Sequence, residues 1–375
     1  MIHLDLVVGA RPNFMKAAPV LAELRSRRPD WRIRLIHTGQ HYDERMSDLF
    51  FSQLGVAEPD VNLGVGSGTH AVQTAQVMVA LEEQFRAAPP NLVVVFGDVN
   101  STLAGALVAS KMQIPVAHVE AGLRSFDRSM PEEINRIITD TVADWLFTSE
   151  PSGETNLRSE GVPAERIRFV GNTMIDTLLK HRPTAEGLDM PARFGVSAGR
   201  YAVVTLHRPS NVDEPEALRG ILAGLMEVAE VAPVLFPMHP RTRRRLEDRR
   251  VVELEAAAGI TLMEPLGYLE FVGLMAAAGV VITDSGGIQE ETTILGVPCV
   301  TMRANTERPV TLTAGTNVLA GTDPRRMVAE AIAALGEQRR SAARIPDLWD
   351  GRAASRIVDV LDEVFSRQGE PGTGC

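Results

Sequence analysis

Two carboxylates in the stretch from His118 to Arg136 stand where they can act on a bound ligand. Glu120 follows the apolar run Pro115 to Val119, which reads as a buried parallel strand. Glu132 follows Pro131, in the first turn of a helix, with Arg124 and Arg128 in the loop before it. A carboxylate at a strand end, a basic loop and a second carboxylate form a layout for proton transfer beside an anion. A third carboxylate, Asp98, directly follows Gly97 and the aliphatic strand Leu92 to Phe96. Glu132 also has a plain structural reading, because an acid in a first turn favours the helix dipole, and Arg136 four residues on is spaced to pair with it.

Cations and glycines collect at the ends of other predicted strands, where open parallel sheets bind ligands. Arg11 and Lys16 frame the first strand-to-helix turn, and either alone is equally a solvated surface charge. His207-Arg208 and His239 each close a strand in the second half of the chain. A His-Arg pair in a protein of net negative charge suits an anion site. Ser285-Gly286-Gly287 lies between a strand and the helix Ile288 to Leu295. It reads either as a phosphate cradle at a helix N-terminus or as a turn capped by Ser285. Glu290 and Glu291 lie in the same first turns, placed to receive ribose hydroxyls or to favour the dipole.

The elements that position these groups alternate. Strands are expected at Leu4–Gly9, Ile33–Thr38, Leu92–Phe96, Pro115–Val119, Leu146–Thr148 and Ile167–Val170. Helices are expected from Phe14 to Arg28, Arg45 to Leu54, Thr69 to Arg86 and Thr102 to Lys111, and from Pro131 and Pro151 onward. Near-continuous aliphatic strands between amphipathic helices mean a parallel sheet covered on both faces. A second series follows at Tyr201–Leu206, Val234–Pro237, Thr261–Met263, Val280–Thr283 and Pro298–Met302. Both halves are therefore Rossmann-like α/β units, without the Gly-x-Gly-x-x-Gly fingerprint of a dinucleotide site. His181 to Arg200, rich in Pro and Gly, reads as a connection, Ala353 to Ser366 as a last amphipathic helix, and Gln368 to Cys375 as a disordered end.

Composition narrows the class. A length of 375 residues favours two domains, and a net charge of -10 without basic clustering excludes a nucleic-acid surface. Two cysteines, Cys299 and Cys375, imply no disulfide framework and make a metal site unexpected. No apolar stretch approaches the roughly 20 residues of a membrane span. The opening residues lack the form of a signal peptide, so the cytoplasm is the expected compartment.

Taken in order, eight motifs resemble one family along nearly the whole chain. They are Gly9-Ala-Arg-Pro, Gly97-Asp98, His118-Val-Glu-Ala-Gly-Leu-Arg124, Pro131-Glu-Glu-x-Asn-Arg136, Gly171-Asn-Thr173, His207-Arg208, Asp284-Ser-Gly-Gly-x-Gln-Glu-Glu291 and Thr306-Glu-Arg-Pro309. Together they resemble the non-hydrolysing UDP-N-acetylglucosamine 2-epimerases. The resemblance implies a GT-B fold, two Rossmann-like domains with parallel sheets facing a central cleft. Its N-terminal domain would span 1–170 with a returning helix at 353–370 and carry the catalytic carboxylates, and its C-terminal domain, 171–352, would bind UDP.

It further implies reversible C2 epimerisation of UDP-N-acetylglucosamine to UDP-N-acetylmannosamine, through elimination of UDP to a 2-acetamidoglucal and re-addition, with no cofactor. Such a reaction supplies N-acetylmannosamine-type precursors for surface polysaccharide, and a homodimer is the expected form. By the motifs, Asp98, Glu120 and Glu132 match the acid/base set and His207 the histidine of leaving-group chemistry. Arg11, Lys16, Arg136, His239 and Arg308 would contact the substrate, with Ser285, Gly286 and Gly287 on phosphate and Glu291 on ribose.

The chain also departs from the common pattern. It has Asn13 where many members have Glu, His207-Arg-Pro-Ser210 where many have His-Arg-Arg-Glu, and Gln40-His-Tyr-Asp-Glu-Arg-Met-Ser47 in place of the loop of substrate-activated members. A modified substrate, a diacetamido or uronic-acid UDP-sugar, is therefore one alternative. A GT-B glycosyltransferase, a hydrolysing epimerase and an inactive sugar-nucleotide sensor are others, set against the three carboxylates.

Overall fold

The computed structural model describes residues 1–39, 55, 58–238, 240–245, 259–336 and 344–369. The expected helix from Arg45 to Leu54 and the loop Gln40 to Ser47 lie outside the described residues. The chain divides into two compact units, Met1–Thr177 with Asp347–Cys375, and Leu178–Pro346. The first division falls inside the helix Thr173–Glu186, so the backbone passes from one unit to the other without a loop.

The first unit is built on seven parallel strands in the order β3-β2-β1-β4-β5-β6-β7. They are β1 (His3–Val8), β2 (Arg32–His37), β3 (Val61–Asn62), β4 (Leu92–Phe96), β5 (Val116–Ala121), β6 (Trp145–Thr148) and β7 (Ile167–Phe169). Every residue of β4 is fully buried, as a continuous aliphatic run in the middle of a doubly covered sheet must be. Each such side chain contributes about 1.5–3 kcal/mol of burial. Leu81, Phe85 and Val77 of the helix His70–Ala87 pack on this sheet with Val7, Val93 and Val95. The strand order reverses between β1 and β4, so the carboxyl ends of β1, β4 and β5 border a crevice.

The first helix, Arg11–Arg27, begins earlier than apolar spacing predicts. Asn13 explains the start: its Oδ1 accepts the N–H groups of Gly9 and Ala10, both at 3.2 Å, while its Nδ2 donates to the Phe96 carbonyl at 2.8 Å. One side chain thus ties the end of β1 to the end of β4. The returning helix Ala353–Gly369 packs on Arg11–Arg27, where Arg27 meets Asp359 and Arg28 meets Asp362, each at 2.7 Å. The helix runs beyond Gln368, which corrects the disordered end expected from that residue on, and 370–375 are outside the described residues.

The second unit carries six parallel strands in the order β10-β9-β8-β11-β12-β13. They are β8 (Ala202–Thr205), β9 (Val234–Pro237), β10 (Ile260–Met263), β11 (Val280–Thr283), β12 (Cys299–Thr301) and β13 (Asn317–Leu319). Its order reverses between β8 and β11, and its core gathers Val204, Val234, Phe236 and Ile282 against Leu225 and Met327. β3 and β13, two and three residues long, are too short to give an apolar run and escape the sequence reading. The segment read as a connection from His181 holds helix as far as Glu186 and again at Met190–Arg193. Burial of Ala185 and Met190 pins it in place despite Pro183, packing overriding local propensity.

Candidate active site

At the carboxyl end of β5 the backbone is bent on purpose. The register with β6 shifts between Val119 and Ala121, and Glu120 takes φ 71°, a left-handed conformation rare for a side chain with a Cβ. Such a residue costs on the order of 1–3 kcal/mol and persists where its surroundings over-determine it. The carboxylate meets Lys16, whose Nζ donates to Oε1 at 2.7 Å, with both side chains almost fully buried. Lys16 comes from the helix after β1, and Gly97 leaves it room: a Cβ there would lie 2.7 Å from the ammonium.

Asp98 ends β4 next door. Arg136 donates to its Oδ2 from Nε at 3.1 Å and Nη2 at 2.6 Å, and Asn135 donates to its carbonyl at 2.8 Å. The third Arg136 nitrogen meets Glu133 Oε2 at 2.7 Å. Glu133 in turn accepts the backbone N–H groups of Ser125 and Phe126, both at 2.9 Å, which pins the basic loop. The expected Glu132–Arg136 pairing is thus replaced: Arg136 turns to Asp98 and Glu133. Glu132 stands in the first turn, partly exposed, with no side-chain partner among the described residues.

The helix Pro131–Val142 shows why sequence reasoning missed much of this. It buries Glu133, Asn135, Arg136, Thr139 and Asp140, while Ile134, Ile137 and Ile138 stay partly exposed. A polar stripe at helical spacing faces the sheet end, inverse to the usual amphipathic pattern. That inversion was the signal available. Asp140 ends the stripe, bonded to His118 and Arg124. Burial works to raise its pKa, but His118 and Arg124 outweigh burial and hold the carboxyl below the usual range. Burial likewise works against the Arg124 charge, yet Glu160 and Asp140 raise its pKa overall.

In the second unit, His207 and Asp284 end the two strands that flank its switch point. Asp284 is fully buried and accepts the N–H groups of His207 and Arg208 and the Asn211 amide at 2.9–3.2 Å. Burial acts to raise its pKa; hydrogen bonding and charge from His207, with Asn211 and Arg208, prevail and lower it. The His207 ring, 39% exposed, places Nδ1 3.0 Å from Asp284 Oδ1. A carboxylate at Nδ1 orients the imidazole ring.

The helix Gly286–Leu295 follows directly, beginning earlier than expected, with Ser285 at the N-cap position but making no side-chain capping bond. Its first-turn N–H groups have no intrahelical acceptor. Arg308 lies across this helix start, so that a Cβ on Gly286 would stand 2.5 Å from its Nη1. Glu290 holds the guanidinium at 2.6 Å, and Glu307 lies 3.4 Å from it and 2.7 Å from Arg303. Glu291 accepts from the Tyr268 hydroxyl at 3.1 Å.

Asp98, Glu120, Lys16 and Arg136 therefore gather at adjacent strand ends of the first unit, and His207, Ser285, Gly286, Gly287 and Arg308 at those of the second. Arg11 opens the first helix, but its side chain lies outside the described residues, as does all of His239. Among the described residues no group of His, Cys, Asp and Glu is arranged to hold a metal ion. No helix among them is long and apolar enough to cross a membrane.

Comparison with known proteins gives one consistent result. A family model for UDP-N-acetylglucosamine 2-epimerase matches residues 23–362. The UDP-N-acetylglucosamine 2-epimerase of Methanocaldococcus jannaschii is 42% identical over 366 residues, covering 96% of this chain and 99% of that protein. A crystal structure of the M. jannaschii enzyme in complex with UDP-GlcNAc and UDP superposes with a TM-score of 0.88 at 41% identity, covering 96% of this chain and 100% of that one. The UDP-2,3-diacetamido-2,3-dideoxy-D-glucuronate 2-epimerase of Pseudomonas aeruginosa is 42% identical over 358 residues, 95% of this chain and 98% of that protein.

Proposed function

Because this chain belongs to the UDP-N-acetylglucosamine 2-epimerase family, we propose that it interconverts UDP-N-acetylglucosamine and UDP-N-acetylmannosamine by eliminating and re-adding UDP. The C2 proton of the sugar has no carbonyl beside it in the ring to make it acidic. Loss of that proton to a carboxylate is therefore coupled to cleavage of the C1–O bond, whose electron pair leaves with UDP. The glycal then regains UDP at C1 and a proton at C2 from the opposite face.

The observation that carries this reading is Glu120, a carboxylate held in a strained backbone against Lys16 on the strand next to Asp98. We assign proton movement at C2 to Asp98, Glu120 and Glu132, which come from different elements and so suit two faces of a ring. His207 Nε2 exchanges a proton with the departing phosphate, supported by Asp284 at Nδ1. Ser285, Gly286 and Gly287 offer N–H groups to the diphosphate, Arg308 and Arg11 offer positive charge, and Glu291 receives ribose hydroxyls. The Arg136 guanidinium, spent on Asp98 and Glu133, fixes the acid/base set and contacts the sugar only from that position.

A proton NMR time course in deuterated buffer tests the reading. UDP-N-acetylglucosamine must give both epimers with deuterium at C2, and absence of exchange rejects it. The equal identity to the diacetamido-glucuronate enzyme supports a second substrate, a 2,3-diacetamido uronic-acid UDP-sugar. Faster C2 exchange with that sugar in a panel would make it the preferred one. Assembly as a homodimer in the cytoplasm completes the proposal. A monomeric mass by light scattering rejects the dimer.

A further inference from the structure

One buried carboxylate reaches the backbone around both Glu120 and Asp98. Asp140 accepts from His118 Nδ1 at 2.6 Å and from the Gly122 N–H at 3.1 Å. These bonds fall two residues before and two residues after Glu120. They close across the register shift where Glu120 takes its left-handed backbone. The His118 ring continues the chain: its Nε2 lies 2.7 Å from the Gly97 carbonyl, in the peptide bond that carries the Asp98 N–H.

The ring thus bridges a carboxylate at Nδ1 and a backbone carbonyl at Nε2. His118 is wholly enclosed and Asp140 is 1% exposed, so water does not compete for either. Arg124 braces the second Asp140 oxygen at 2.7 Å and is itself held by Glu160 at 2.7 Å. Without such a clasp nothing in β5 would favour φ 71° at a glutamate.

We propose that Asp140 and His118 are a positioning pair for proton transfer, clamping both sides of the Glu120 bulge and the peptide before Asp98 so that the two carboxylates keep a fixed spacing. The proposal rests on the epimerase reading above. Neither residue touches the sugar; each acts through the backbone that carries a reacting group. Misplacement of a reacting group by about 1 Å costs on the order of 10²-fold, which sets the scale.

Three variants test it. Asp140→Asn keeps the volume and one acceptor oxygen. His118→Asn retains an amide nitrogen where Nδ1 stood and drops the Gly97 bond, while His118→Gln reaches towards Gly97 and drops the Asp140 bond. Each is assayed by C2 deuterium exchange at a temperature where circular dichroism shows it folded. The expected result is kcat lower by about 10- to 100-fold, with KM and UDP affinity within about threefold and the pH profile of kcat displaced. If Asp140→Asn does not fold, the two His118 variants decide. Folded variants with kcat within about twofold of wild type overturn the positioning role. A loss that only tracks the folded fraction, with an unchanged pH profile, overturns it too. Wild-type protein without exchange overturns the epimerase reading and this inference with it.

Discussion

The two units place their polar groups at the same topological point and use them in opposite ways. In the first, the charges beyond β1, β4 and β5 are turned on one another and all but the partly exposed Asp98 are buried: Lys16 on Glu120, Arg136 on Asp98 and Glu133, His118 and Arg124 on Asp140. In the second, the helix start at Gly286 and His207 are both partly open, with Arg308 already balanced by Glu290. Proton transfer to carbon needs carboxylates fixed to a fraction of an ångström, and closed ion pairs fix them. An anion needs donors left open to receive it. One α/β architecture serves both ends because the strand ends, and not the sheet, carry the difference.

That contrast breaks most visibly if the carboxylates are neutralised. Asp98→Asn, Glu120→Gln and Glu132→Gln are each expected to lower turnover by about 10²-fold or more while UDP affinity, read by calorimetry, stays near wild type. Lys16→Met should follow Glu120→Gln, since it leaves a buried carboxylate without its cation. Near-normal turnover in all three carboxylate variants would remove the division of labour.

The opposite perturbation belongs to the second unit. A methyl group on Gly286 collides with a guanidinium that Glu290 holds in place, so the helix start must shift. Gly286→Ala is expected to weaken UDP binding by about tenfold, or about 1.4 kcal/mol, and to leave the rate at saturating substrate within a few-fold. A fall in that rate with unchanged UDP affinity would place Gly286 in the chemistry instead. Opposite signatures from Gly286→Ala and Glu120→Gln would sharpen the comparison into a measured separation of binding from proton transfer.

Much of this was legible in the chain and some was hidden for physical reasons. The aliphatic strands, their alternation with helices and the residues at the strand ends follow from burial on both faces of a parallel sheet. Asp98, Glu120 and His207 stand at strand ends as expected. The tie from Asn13 to the distant Phe96 carbonyl was not visible, because such a bond leaves no periodic trace, and Asp140 showed only as the end of the inverted polar stripe. Arg136 was misread for a related reason. Spacing of four offers Glu132 as a partner, but the helix turns that face inward, where Asp98 from another strand and Glu133 compete better. The helix through Pro183 was lost because buried Ala185 outweighs what proline signals locally.

A buried carboxylate held by backbone N–H groups gives the smallest expected effect and a control for the others. Asp176, on the helix Thr173–Glu186, accepts the N–H groups of Ala353 and Ala354 at 3.1 and 2.7 Å and so caps the returning helix. Burial dominates there, pushing its pKa up to about 6 against the partial relief of those two N–H groups. Asp140 is just as enclosed, but His118 and Arg124 hold its pKa low. The raised folded value means that the folded protein binds the proton more tightly than the unfolded chain, whose carboxyl titrates near 3.8. Stability from this group is complete below about pH 4 and is lost as pH rises through about 6. The loss is at most roughly 3 kcal/mol, and a few degrees in melting temperature for each kcal/mol in a unit of this size. Asp176→Asn should flatten that part of the melting-temperature profile while leaving turnover at neutral pH near wild type. If wild type and variant run parallel from pH 4 to 7, burial is not what governs this carboxyl, and the contrast with Asp140 must rest on geometry alone.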